Sequence, residues 1–76
     1  MEGTEIRVPM AGKVIEVKKK VGDSVRKREI IAYLDAMKMK IAVFSSVDGV
    51  IQELNAPLGQ ILNKGHVLAI VSQGGL

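Results

Sequence analysis

Apolar positions along the chain come in short runs closed off by glycine, and no segment keeps a convincing helical period. In the first half an extended start, Arg7-Val8-Pro9, leads past a glycine into Lys13-Val14-Ile15-Glu16-Val17-Lys18. After a second glycine comes a closing run, Ile30-Ile31-Ala32-Tyr33-Leu34. Runs this short, bounded by turn residues, predict strands. Val21-Gly22-Asp23 and Leu58-Gly59-Gln60 predict turns in which glycine takes the positive φ that branched neighbours resist.

The pattern occurs twice. At an offset of 37, Arg7 through Leu34 aligns with Phe44 through Val71. Gly12 then falls on Gly49, Glu16 on Glu53, Gly22 on Gly59, Lys27 on Lys64 and Ala32 on Ala69. Apolar residues meet at Val14/Ile51, Val25/Leu62, Ile31/Leu68 and Leu34/Val71, among others. Turns and core positions recurring together point to an internal duplication. Each half alone leaves one apolar sheet face bare, so the two pack face to face. The expected fold is all-β: a flattened barrel or sandwich of about eight short strands in two four-stranded antiparallel sheets, with quasi-twofold symmetry.

Composition narrows this picture without changing it. Seventy-six residues support one domain, taken as 1–76 with a core of about 6–72. Ten Val and eight Ile stand against one Tyr, one Phe and no Trp, a β-branched supply that suits strands. The absence of cysteine excludes a disulfide scaffold and any cysteine-based metal site. The N-terminus lacks the regions of a signal peptide, and the uncharged stretch from Ile41 is far too short to span a bilayer, so a cytoplasmic protein is expected. A start at Met1 favours a free-standing subunit, and Gly74-Gly75-Leu76 reads as a chain end or linker stub.

The net charge of +3 is uneven: residues 7–40 hold ten basic groups against four acids. Lys18-Lys19-Lys20 and Arg26-Lys27-Arg28 could suit a polyanion. With few aromatics to stack bases and no basic helix, a solvated turn face is the better reading, and no nucleic-acid partner is expected. Lone His66, following Gly65, reads as a turn residue with no second ligand for a metal, and no Ser-His-acid spacing suggests an enzyme.

The pivot of the repeat carries the chemistry. Asp35 through Val43 must join the halves, and a hairpin is the natural join. Tight hairpins favour Asn-Gly, Asp-Gly or Gly-X, yet this segment has no Gly, Asn or Pro. A local rule broken without compensation marks a functional site. Ala36-Met37-Lys38-Met39 resembles the attachment motif of biotinyl domains, the swinging-arm carriers of biotin-dependent carboxylases and decarboxylases. The resemblance covers residues 6 to 72. It is supported by Val8-Pro9-Met10-Ala11-Gly12, Val21-Gly22-Asp23-Ser24-Val25, Asp48-Gly49-Val50-Ile51 and Val67-Leu68-Ala69-Ile70-Val71.

The resemblance implies a non-catalytic carrier with biotin held covalently on Lys38. A biotin protein ligase would make biotinyl-adenylate, and the Lys38 amine would attack it once and serve as a tether afterwards. The partners implied are that ligase, a biotin carboxylase, and a carboxyltransferase or decarboxylase. Asp35, Ala36, Met37 and Met39 would take part in recognition by ligase and partner enzymes. Flanking a turn residue, Met37 and Met39 cannot both be deeply buried, and exposed thioethers suit an adaptable docking surface. Three features depart from the family pattern: Lys40 at a commonly polar or Glu position, Ser45-Ser46 in place of a small residue and Pro, and Arg28 opposite Gly65. No insertion separates Val17 from Val21, so the protruding thumb of some bacterial carriers is absent. A lipoyl domain is the nearest alternative, but its signature sets Asp before the lysine and Ala or Ser after it, where this chain has Met37 and Met39.

Overall fold

The computed structural model describes residues 3–73. Gly74-Gly75-Leu76 lies outside the described residues. Eight strands follow in order: β1 (Gly3–Arg7), β2 (Gly12–Val17), β3 (Ser24–Val25), β4 (Ile30–Ala36), β5 (Met39–Phe44), β6 (Gly49–Leu54), β7 (Ile61–Leu62) and β8 (Val67–Ser72). They form two four-stranded antiparallel sheets, β1-β8-β6-β3 and β5-β4-β2-β7. Among the described residues no helix is long and apolar enough to cross a membrane.

The duplication read from the sequence is the symmetry of the fold. Adding 37 to the first four strands lands on the last four to within a residue, and it converts one sheet order into the other. Even irregularities repeat: β2 bulges between Val14 and Glu16 against β4, and β6 bulges between Ile51 and Glu53 against β8. Loop hydrogen bonds recur as well. The Gly22 N–H donates to the Ile51 carbonyl at 2.9 Å, and that of Gly59 to the Val14 carbonyl at 2.8 Å. Both loops after the long strands, 18–23 and 55–60, have the same length, so neither carries an insertion.

The core is built from equivalent pairs. Val14 and Ile51, Ile31 and Leu68, and Leu34 and Val71 are all buried between the sheets. A buried side chain of this type contributes about 1.5–3 kcal/mol, so a few such pairs dominate the stability of so short a chain. Ser45 is the one buried polar side chain among the described residues; its hydroxyl donates to the Val47 carbonyl and accepts from the Val47 N–H.

Two details refine the sequence reading. The nine-residue join from Asp35 to Val43 is mostly strand, since β4 runs on to Ala36 and β5 begins at Met39. Gly12 and Gly49 are not turn glycines, for they open strands. A Cβ on Gly12 would sit 3.1 Å from the Asp35 carbonyl and 3.2 Å from the Ala36 side chain, and one on Gly49 would collide with the Ser72 carbonyl. Glycine is needed at Gly49 because another strand passes against the backbone, and at Gly12 a side chain would require β4 to give way by a few tenths of an ångström.

Candidate functional site

The β4–β5 hairpin is as tight as a hairpin can be. Asp35 pairs with Lys40 and Ala36 with Met39, leaving only Met37 and Lys38 in the turn. Both have positive φ, 51° and 69°. Two successive left-handed residues are the signature of a type I′ turn, whose twist matches that of the strands. Side chains resist that region by roughly 1–2 kcal/mol per residue. The sheet beneath holds the turn in place: Leu34 and Ala36 are buried, and the Gly12 backbone packs against Asp35 and Ala36.

The turn presents its side chains outward. Met37 is 87% exposed and Met39 59%. Lys38 is exposed, and among the described residues its ammonium has no hydrogen bond or ion pair. Asp35 is exposed on β4, with Lys40 opposite it on β5 and Lys13 on β2. The Lys40 ammonium stacks 4.2 Å from the centroid of the Tyr33 ring. Ala36, by contrast, is packed under the turn at 2% exposure. Four of the five residues singled out in the sequence are thus grouped at one exposed apex, and Ala36 supports it from inside.

The apex can offer a primary amine on a flexible four-carbon stem, clear of the body and of competing anions. That suits covalent attachment of a group that must reach another protein. A hollow of about 150 Å³ lies between Arg7, Pro9, Ala42, Val43 and Phe44. A second, of about 240 Å³, lies on the other sheet beside Glu5 and Glu53. Neither includes Lys38. Among the described residues there is no cluster of metal-binding side chains.

The remaining candidates fall elsewhere. The basic groups of 18–20 and 26–28 lie at the end of β4 away from the apex, since the Lys18 N–H donates to the Ile31 carbonyl. Two of them are engaged locally: Lys18 with Glu16 at 3.2 Å and Lys19 with Glu29 at 2.8 Å. The Lys19 ammonium, helped by the Arg26 backbone N–H, holds the Glu29 carboxyl below its ordinary value. The ring Nε2 of His66 lies 3.1 Å from the Asn55 carbonyl, which ties its turn to the neighbouring loop. The sequence reading passed over a line of exposed apolar residues, Ile15, Phe44 and Ile61, on the outer face of the lysine-bearing sheet. Setting each residue beside its partner at offset 37 would have found them.

Comparison with known proteins agrees with this geometry. A family model described as "Biotin-requiring enzyme" matches residues 4–71. The chain is 33% identical over 67 residues to the biotin/lipoyl attachment protein of Bacillus subtilis, covering 88% of this chain and 92% of that one. It is 28% identical over 68 residues to the biotinylated protein TB7.3 homolog of Mycobacterium leprae, covering 90% and 96% respectively. Among solved structures, the urea carboxylase of Kluyveromyces lactis superposes with a TM-score of 0.88 at 18% identity, covering 95% of this chain and 6% of that one. The lipoyl domain of the 2-oxoglutarate dehydrogenase complex of Azotobacter vinelandii superposes with a TM-score of 0.74 at 26% identity, covering 99% of this chain and 100% of the domain. The chain belongs to the biotin/lipoyl attachment family.

Proposed function

We propose that the chain is a biotin carboxyl carrier, with biotin joined in amide linkage to Lys38. The observation that carries this reading is the apex itself: an unpaired lysine held at a strained two-residue turn between two exposed methionines. Lipoyl-type turns set Asp and a small residue beside the lysine, and this chain has Met37 and Met39 instead. A relative of nearly the same length that is itself named as biotinylated supports the same choice.

In the attachment step, Nζ of Lys38 attacks the carboxyl carbon of biotin after a biotin protein ligase has activated it as an adenylate. The C–N bond forms, AMP leaves with the former C–O bonding pair, and the ammonium gives up its protons to a base. Loss of that charge takes the chain from +3 to +2. Once bound, biotin supplies a ring nitrogen that accepts and releases a carboxyl group. The chain supplies reach: the lysine stem and turn carry the group between a biotin carboxylase and a carboxyltransferase or decarboxylase. Asp35, Met37 and Met39 present the recognition surface, while Ala36 fixes the turn that displays it.

The fold keeps the rest of the chain out of the way. β5 leaves the apex at Met39 and ends at Phe44; the chain then crosses to Gly49, whose backbone lies against Ser72. Ser72 and its strand partner Gly3 are therefore at the end remote from Lys38.

Intact mass after incubation with biotin, ATP and a biotin ligase tests the reading. One biotinyl addition mapped to Lys38, and none on Lys38→Arg, is the expected result. A lipoyl or octanoyl addition with lipoate ligase, and none with biotin, would replace it with the dehydrogenase-complex role. Met37→Leu and Met39→Leu accept biotin but slow carboxyl transfer; rates equal to the parent would remove their docking role.

A further inference from the structure

Among the described residues the chain keeps its sulfur at one end. The sequence has four methionines and neither cysteine nor tryptophan, so thioethers are the soft groups it offers to an oxidant. Met1 lies outside the described residues. The core is filled by Val, Ile, Leu and Ala, and none of the other three methionines enters it. Met37 is 87% exposed, Met39 59% and Met10 39%. Met37 and Met39 flank Lys38 at the turn. Met10 stands two residues ahead of Gly12, a reach of at most about 7 Å, and the Gly12 backbone packs against Asp35 and Ala36. At the equivalent place in the second half stands Val47, packed against the core, so the backbone plan does not require sulfur here.

Methionine earns a place in a core by filling irregular gaps, and at Met37 there is no gap to fill. What the exposed thioether retains is its chemistry. A sulfur lone pair attacks one oxygen of hydrogen peroxide; the S–O bond forms, the O–O bond breaks, and the departing hydroxide takes the proton of the transferred oxygen and leaves as water. Sulfur loses two electrons and the peroxide gains them. The product is a sulfoxide, polar where the thioether was apolar. No packed side chain has to move for a peroxide to reach Met37, so the change falls on the apex and leaves the core intact.

We propose that Met37 and Met39 are a modification site, at which a peroxide forms sulfoxides that withhold the carrier from its ligase until a thiol-dependent methionine sulfoxide reductase restores them. The proposal rests on the carrier reading above. The ligase has to bring an activated carboxyl to Nζ of Lys38, and the two methionines are the covalent neighbours of that residue in a turn of two. A ligase surface that accepts two thioethers there meets two sulfoxides instead, whose oxygens must give up water to enter it.

The test uses the carrier before any biotin is attached. It is treated with hydrogen peroxide, the peroxide is removed with catalase, and a portion is cleaved at acidic residues, which puts Met10 in one peptide and Met37 with Met39 in another. Tandem mass spectra separate the last two. The expected order of one-oxygen additions is Met37, then Met39, then Met10, following exposure. Circular dichroism and melting temperature stay at parental values. The initial rate of biotin labelling, with carrier well below saturation, falls about tenfold, the size of losing an interface anchor. Methionine sulfoxide reductases for both sulfoxide epimers, supplied with a thiol, restore it. The double variant Met37→Leu with Met39→Leu keeps whatever rate it has through peroxide treatment, and Met10→Leu stays as sensitive as the parent.

Oxidation at Met37 and Met39 with an unchanged labelling rate overturns the proposal and leaves biotin attachment standing. So does a loss of rate that persists in the double leucine variant, or one that accompanies a fall in melting temperature. A Met10 that oxidises ahead of the other two overturns it as well. An untreated parent that takes no biotin removes the carrier reading, and the proposal falls with it.

Discussion

The chain passes through left-handed backbone at two kinds of turn. At Gly22, Gly59 and Gly65, with φ of 96°, 86° and 88°, the residue is glycine and the conformation costs little. At Met37, Lys38 and Arg28, with φ of 51°, 69° and 76°, a full side chain occupies the same region. The first kind serves the fold alone. The second keeps a side chain at a position where folding by itself would select glycine, and at the apex one of those side chains is Lys38, the residue proposed to carry the attached group. Backbone strain of this sort concentrates where the surrounding structure is firm enough to hold it. Here Leu34, Ala36 and the close backbone of Gly12 provide that firmness.

Replacing Met37 and Lys38 by Asn and Gly gives the turn the residues its geometry favours. The expected gain is about 1–2 kcal/mol, since relief of two strained residues is partly offset by the extra freedom of glycine in the unfolded chain. Thermal unfolding of this double variant then lies several degrees higher, and biotin labelling disappears. An unchanged melting temperature would mean that the apex stores no strain, and the contrast with the glycine turns would lose its energetic basis.

Arg28 sharpens the comparison because its equivalent at offset 37 is Gly65. The two turns share their bonding: the Arg28 N–H donates to the Ser45 carbonyl at 2.7 Å, and the Gly65 N–H to the Val8 carbonyl at 2.9 Å. Backbone geometry is thus held nearly constant while the residue changes. Arg28→Gly should stabilise the chain by about 0.5–1 kcal/mol, less than the apex variant because only one residue is relieved. Denaturant titration of both variants checks the order, and a larger gain at position 28 would reverse it.

Much of this was legible in the sequence. The repeat could be read because turn glycines and apolar runs recur at one offset, and strand order follows from it once the halves pack. Lys38 could be singled out as a candidate because Met37 and Lys38 stand where turn chemistry asks for Asn-Gly. Other features depend on contacts that no local pattern encodes. Gly12 looks like any turn glycine until β4 is seen passing against it. β3 and β7, of two residues each, are too short for any periodicity to register. Ile15 sits in a run that mixes buried and exposed apolar residues, because the bulge after Val14 puts two successive side chains on the outer face.

The smallest expected effect concerns how the strained turn at Arg28 is braced. Beside it, the Glu29 carboxylate accepts from the Arg26 N–H at 3.0 Å and pairs with Lys19 at 2.8 Å. Its equivalent is His66, whose ring nitrogen meets the Asn55 carbonyl, and the glycine turn is tied instead through its own backbone, where the Arg7 guanidinium donates to the Gly65 carbonyl at 2.8 Å. The Lys19 ammonium and the Arg26 N–H lower the Glu29 pKa from its ordinary 4.5. A carboxyl lowered on folding contributes stability that is full above its unfolded pKa and is lost as pH falls through the folded one. Glu29→Gln should therefore be less stable than the parent at pH 7, by a small amount because the pair is exposed. The gap between the two should hold down to about pH 5 and close below pH 4.5, as the parent's carboxylate takes up its proton. Chemical denaturation of both chains from pH 7 to pH 3 measures that gap. A gap that stays constant across this range would mean that Glu29 supports the turn through packing, and the charge would then have no part in bracing Arg28.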